Sequence, residues 1–219
     1  EITMMSLYLK ALEGERGILP RKQHLLPPLS NNIKCGNSLI GYDIFDNTQY
    51  SLPAVIPAEA GIQAKGTGFR VKHGMTEKEE FTEEDRSRIN PFDWNSKSTG
   101  FGEIMENGGF DVIIGNPPYV RIQTMKEWAP VEVELYNQQY VSASKGNYDI
   151  YVVFVEKGLG LLNAKGRLGF ILPHKFFQSQ YGESLRGVIS KGKHLSEVVH
   201  FGAKQVFEGA TTYTCLLFL

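Results

Sequence analysis

The chain has 219 residues, 23 Lys+Arg against 24 Asp+Glu, 42% hydrophobic residues and 11% aromatics. That is enough apolar material for one sizeable core, and the ordinary charged fraction argues against wholesale disorder. A net charge of −1 excludes adhesion to DNA or anionic lipid by bulk charge and leaves only a local basic face. Cys35 and Cys215 cannot build a disulfide scaffold, no Cys/His spacing fits a zinc site, and no apolar run reaches membrane-spanning length. The expectation is a cytoplasmic protein with no membrane partner.

Ile2, Met5, Leu9 and Leu12 recur at helical spacing, so residues 1–13 are expected to be a helix stopped at Gly14. The chain starts at Glu1 and runs straight into this pattern, as an excised domain would. Pro20, Pro27 and Pro28 mark an extended connector over 17–30, and Ile33-Lys34-Cys35 is a short strand candidate. Cys35 itself lacks a companion base, which favours a small buried thiol over a nucleophile. From about 47 to 100 periodicity dissolves, and a surface-loop insertion is the expectation, since surface loops lengthen at little entropic cost.

Order returns at Phe110-Asp111-Val112-Ile113-Ile114-Gly115, an almost wholly apolar run expected to be a strand buried on both faces. A helix over about 150–163 follows, with Asp149 as N-cap, then a strand over 167–172, a helix over 180–190, and strands near 195–202 and 212–219. This alternation predicts a doubly wound α/β sheet whose last two strands pair antiparallel.

In open α/β sheets ligands bind beyond the carboxyl ends of the strands, and Asn116-Pro117-Pro118-Tyr119 occupies such an end. Two consecutive prolines remove two N–H donors and stiffen the turn, leaving carbonyl oxygens exposed. Asn116 adds an acceptor and Tyr119 a flat face, which together suit a planar ligand carrying an amino group. The plain alternative is a turn that ends a strand, with Asn116 capping it and Tyr119 in the core.

Gly109-Phe110-Asp111-Val112-Ile113-Ile114-Gly115-Asn116-Pro117-Pro118-Tyr119-Val120-Arg121 resembles the catalytic motif of the N6-adenine DNA methyltransferases, above all the type II enzymes that carry methyltransferase and nuclease on one polypeptide. Asp149-Ile150-Tyr151 with Phe154, and Gly166 through Pro173, are similar to that family's next helix–strand unit. Asn32 through Gly41 resembles its strand-end loop, and Val206-Phe207-Glu208-Gly209-Ala210 its second aromatic segment. The resemblance implies a Rossmann-like S-adenosylmethionine-dependent fold, double-stranded DNA as partner, and transfer of a methyl group to adenine N6 within a restriction–modification system. It gives Asn116 and Pro117 the role of accepting the amino hydrogens. Tyr119 and Phe207 would stack on an extruded base. Asn37, Ser38, Asn116, Ile150 and Tyr151 would contact the cofactor, although helix-core packing suits Ile150 and Tyr151 equally and core packing suits Phe207.

The family's earlier glycine-rich loop and following acidic strand end have no counterpart before residue 33. The expectation is therefore a partial catalytic domain lacking its first strands, with the N-terminal cofactor-binding segment, target-recognition region and nuclease outside it, and inactive alone. Cytosine-N4 and protein-glutamine methyltransferases make similar demands on such a turn, and a non-catalytic DNA-binding subunit could keep the fold. Between 160 and 195, Lys165, Arg167, Lys175, Arg186, Lys191 and Lys193, with His174 and His194, either track a phosphate backbone or form a solvated surface.

Overall fold

A computed structural model describes residues 6, 7, 10, 29, 31–46, 82–202, 204, 206, 207 and 213–219. Most of the expected N-terminal helix, the proline-rich connector, the segment 47–81 and Glu208-Gly209-Ala210 lie outside the described residues. The chain divides into two units, Glu1–Gly36 and Asn37–Leu219. In the first, residues 33–35 are irregular rather than a strand, and Cys35 is exposed rather than buried. The N–H groups of Asn32 and Ile33 donate to the carbonyl of Leu29 there, closing a turn where a strand ladder was expected.

The second unit opens with a short helix α1 (Asp43–Asp46), then α2 (Glu83–Ile89) and α3 (Gly102–Glu106). Helix α2 falls inside the stretch read as a loop. Its acidic run sits in the first turn, where the helix dipole favours negative charge, and Thr82 and Asp85 cap it reciprocally. The Thr82 hydroxyl accepts from the Asp85 N–H at 3.1 Å, and the Thr82 N–H donates to the Asp85 carboxylate at 3.0 Å. Beyond it Phe92, Trp94, Phe101 and Phe110 form an aromatic cluster with ring centroids 4.9–6.1 Å apart. Residues 82–100 are thus not a structureless loop.

Strand β1 (Phe110–Gly115) leads through α4 (Ile122–Lys126), α5 (Pro130–Gln139), a 3-10 turn (Val141–Ala143) and α6 (Tyr151–Leu161) into β2 (Leu162–Pro173). A second 3-10 turn (His174–Phe177), α7 (Glu183–Gly192), β3 (Glu197–His200) and β4 (Thr214–Phe218) complete the unit. The sheet order is β1-β2-β4-β3, with β1 and β2 parallel and β4 antiparallel to both of its neighbours. The mixed α/β sheet and its antiparallel last pair agree with the sequence reading. Helix α5 carried no usable periodicity: Glu132 is buried with Val131, Val133, Leu135 and Tyr136, so a charged residue interrupts its apolar side.

Alternate residues of the sheet, Leu168, Phe170 and Leu172 of β2 with Cys215 and Leu217 of β4, are buried in one core with residues of α5, α6 and α7. Gly158 lets α6 settle onto β2, since a Cβ there would come within 2.5 Å of the Leu168 side chain. The opposite face is open at β1. Val112 and Ile114 are 57% and 83% exposed, so β1 is not buried on both faces as its composition suggested. It is the edge strand, with β2 as its only described neighbour, and described helices cover one side alone.

Replacing Thr82 with Ala removes the side-chain cap of α2 and is expected to cost about 1 kcal/mol locally. Amide hydrogen exchange of Arg86–Asn90 should then quicken roughly fivefold while exchange in β2 is unchanged. Equal exchange in both proteins would show that α2 is not held by its cap.

Candidate acceptor site at the end of the first strand

The corner that follows β1 is fixed at several points. Gly115 pairs with Phe170 of β2, and a Cβ at Gly115 would come within 2.9 Å of the Phe170 ring, so glycine is what permits this approach. Four residues on, the Tyr119 hydroxyl donates to the carbonyl of Ile171 at 3.0 Å. The chain is then zipped to the segment before α6. The Ile150 N–H donates to the Val120 carbonyl and the Ile122 N–H to the Tyr148 carbonyl, both at 2.9 Å, around a bridge between Arg121 and Asp149. Asp149 does not cap α6 with its side chain as expected. Its carboxylate accepts from the Tyr181 hydroxyl at 3.4 Å instead.

Between these anchors Asn116, Pro117, Pro118, Tyr119 and Phe207 line a cavity of about 290 Å³. Asn116 is exposed, and no hydrogen bond ties its side chain to another described residue. Phe207 is 38% exposed, which favours a cavity wall over the core packing that its sequence context also allowed. The Tyr119 ring meets the buried Tyr151 edge-on, centroids 6.4 Å apart, and cannot collapse inward. Burial pushes the Tyr119 hydroxyl up to about 12, with the Cys215 thiol adding to the shift.

The residues expected on the cofactor side have partners within the protein. The Asn37 side chain is occupied at both ends, its Oδ1 accepting from the Leu39 N–H at 3.2 Å and its Nδ2 donating to the Tyr136 hydroxyl at 3.3 Å. The Ser38 carbonyl accepts from Trp94 Nε1 at 3.0 Å. Ile150 and Tyr151 lie in the core at 3% and 0% exposure, and Tyr151 reaches the site only through Tyr119. At this corner the described residues bring an unbonded Asn116 side chain and the prolines together with two aromatic rings.

A second, larger cavity of about 540 Å³ shares Tyr119 as a wall. Arg121, Asp149, Pro173, His174, Lys175, Gln178, Ser179 and Tyr213 complete its lining. The sequence reading gave no separate role to Arg121 or Asp149 here, and the only signal was position: both stand at the pinned bridge. The basic stretch divides between roles. Lys175 lines this cavity, whereas the Arg186 guanidinium donates to the carbonyls of Phe176 and Ser179 and braces the turn.

Tyr119→Phe keeps the ring and removes the anchor to Ile171, a change expected to cost about 0.5–1.5 kcal/mol of stability. The hydroxyl's raised value makes a favourable contribution that is complete below pH 10 and lost as pH rises through about 12. The gap between the denaturant midpoints of the two proteins should therefore be full at pH 8 and change as pH rises from 10 toward 12; a gap independent of pH would contradict the burial that raises the hydroxyl. Tyr151→Ala should cost about 3–5 kcal/mol, as a buried aromatic does, read as a lower urea midpoint. A midpoint unchanged by that substitution would contradict a core role.

The description "Eco57I restriction-modification methylase" belongs to the family model that matches residues 1–207. The type II restriction enzyme and methyltransferase RM.Eco57I of Escherichia coli is 36% identical over 214 residues, covering 97% of this chain and 17% of its own length. The type II methyltransferase M.PaeR7I of Pseudomonas aeruginosa is 38% identical over 92 residues, covering 42% of this chain and 15% of its own. The chain thus spans less than a fifth of the length of these relatives. The match covers the pinned corner, the strands β1 and β2 and Phe207, and the chain belongs to the Eco57I restriction-modification methylase family.

Proposed function

We propose that this chain forms the acceptor half of an enzyme that methylates the N6 amino group of adenine in double-stranded DNA, as part of a restriction–modification system. The observation that carries the reading is the cavity in which Asn116, Pro117, Tyr119 and Phe207 converge. An exocyclic adenine nitrogen is a poor nucleophile because its lone pair is delocalised into the ring. The Asn116 side-chain oxygen and the Pro117 carbonyl accept its two hydrogens and draw it toward a tetrahedral geometry, favouring the charge that develops in the transition state. Asn116 can do so because no described residue holds its side chain.

The base must leave the duplex to reach this cavity. Tyr119 and Phe207 then receive its faces, each contributing about 1–3 kcal/mol by stacking. Two aromatic walls favour a flat nucleobase over the amide of a glutamine side chain. S-adenosylmethionine is the cofactor and supplies the electrophilic methyl group. Asn37, Ser38, Asn116, Ile150 and Tyr151 are the residues of this chain that would hold it, on the resemblance of their segments to the family's. The target-recognition region and the N-terminal part of the cofactor site are further partners in the intact protein.

Expression of the intact protein in cells lacking adenine methylation, followed by nucleoside mass spectrometry, tests the reading. N6-methyladenine should appear, and Asn116→Ala should reduce it at least a hundredfold, the loss of a developing-charge contact being about 3 kcal/mol or more. N4-methylcytosine in its place, or full methylation by the Asn116→Ala protein, would reject the assignment.

A further inference from the structure

The larger cavity beside Tyr119 is not used by the acceptor chemistry. Two cations reach it from different elements, Arg121 from the pinned bridge after the corner and Lys175 from the 3-10 turn after β2. Both side chains belong to exposed residues, and neither is in an ion pair within 4 Å of a described carboxylate. One carboxylate, Asp149, also lines the cavity; it accepts from Tyr181, and the charges of Lys175 and Arg121 favour its ionised form, so it offsets one of the two cations. His174 is driven toward its neutral form by burial and by His200, whose ring lies 4.3 Å away. The lining therefore keeps an excess of positive charge, with the Gln178 side chain and Ser179 as neutral polar groups.

Resting on the reading above, we infer that Arg121 and Lys175 hold the phosphodiester next to the extruded adenine. Tyr119 is the common wall of the two cavities, so a nucleotide whose base stacks on that ring carries its backbone to the mouth of the larger one. A phosphate is the anion that must be present there. A guanidinium and an ammonium converging from two directions match its several oxygens, the first as a planar fork and the second as a point charge. Anchoring the backbone also offsets the loss of stacking in the duplex, because extrusion needs the strand fixed on the protein's side. The restraint on Arg121 comes from its backbone pairing with Asp149, and its guanidinium makes no ion pair within 4 Å of a described carboxylate.

The test uses the intact protein and duplexes in which a single uncharged methylphosphonate replaces the phosphate on either side of the methylated adenine. For the unaltered protein, one of the two neutral linkages should lower kcat/KM by roughly tenfold to a hundredfold. Arg121→Ala and Lys175→Ala should each lose about tenfold on ordinary DNA and no more than about twofold further on that linkage, and Arg121→Lys should recover part of the loss. Losses that simply multiply, or neutral linkages that the unaltered protein ignores, would overturn the clamp while leaving adenine methylation standing. A raised KM for S-adenosylmethionine with the linkage effect intact would also overturn it by assigning the cations to the donor. Absence of DNA methylation by the unaltered protein would remove the underlying reading and the clamp together.

Discussion

Two contacts from β2 hold the donor-poor turn in place: the Phe170 ring fills the space beside Gly115, and the Ile171 carbonyl takes the Tyr119 proton. Asn116, Pro117 and Pro118 lie between these fixed points. Prolines restrict the backbone there, and a restricted backbone can present carbonyl oxygens without reorganising when charge develops. Everything proposed for the site depends on this pair of restraints, because an acceptor that must first be ordered gives away part of the stabilisation it offers.

The restraints extend into the packing. Tyr151 is fully buried beneath Tyr119 and linked by its hydroxyl to Tyr181 at 2.9 Å, and Tyr181 in turn donates to Asp149. Burial raises the Tyr181 hydroxyl and the Asp149 carboxyl alike. The pairing of 120–122 with 148–150 therefore ties the corner to the start of α6 and to the turn before α7. Ile150 and Tyr151 thereby brace the corner from within the core.

Much of this was legible in the residues. Apolar runs with glycine and proline at their ends located β1, β2, α6, α7 and the final strands, and the order of strands and helices foretold the α/β sheet. Asn116-Pro117-Pro118-Tyr119 named the corner, and Phe207 joined it in the structure. Other features were hidden for physical reasons. Helix α5 buries Glu132 among its apolar residues, so it shows no amphipathic phase, and α2 is held by a capping box inside a stretch dominated by charge. The exposed face of β1 could not be read either, since an apolar strand has the same composition whether one side or both are covered. The second cavity depends on a pairing between residues 121 and 149, which no local pattern records.

The central claim is best tested by a crystal structure of the intact protein stalled on its DNA. The account predicts an adenine turned out of the helix between Tyr119 and Phe207, its exocyclic nitrogen within about 3.2 Å of the Asn116 oxygen and the Pro117 carbonyl. A base still stacked in the duplex, or an Asn116 side chain turned away onto the protein's own backbone, would contradict it.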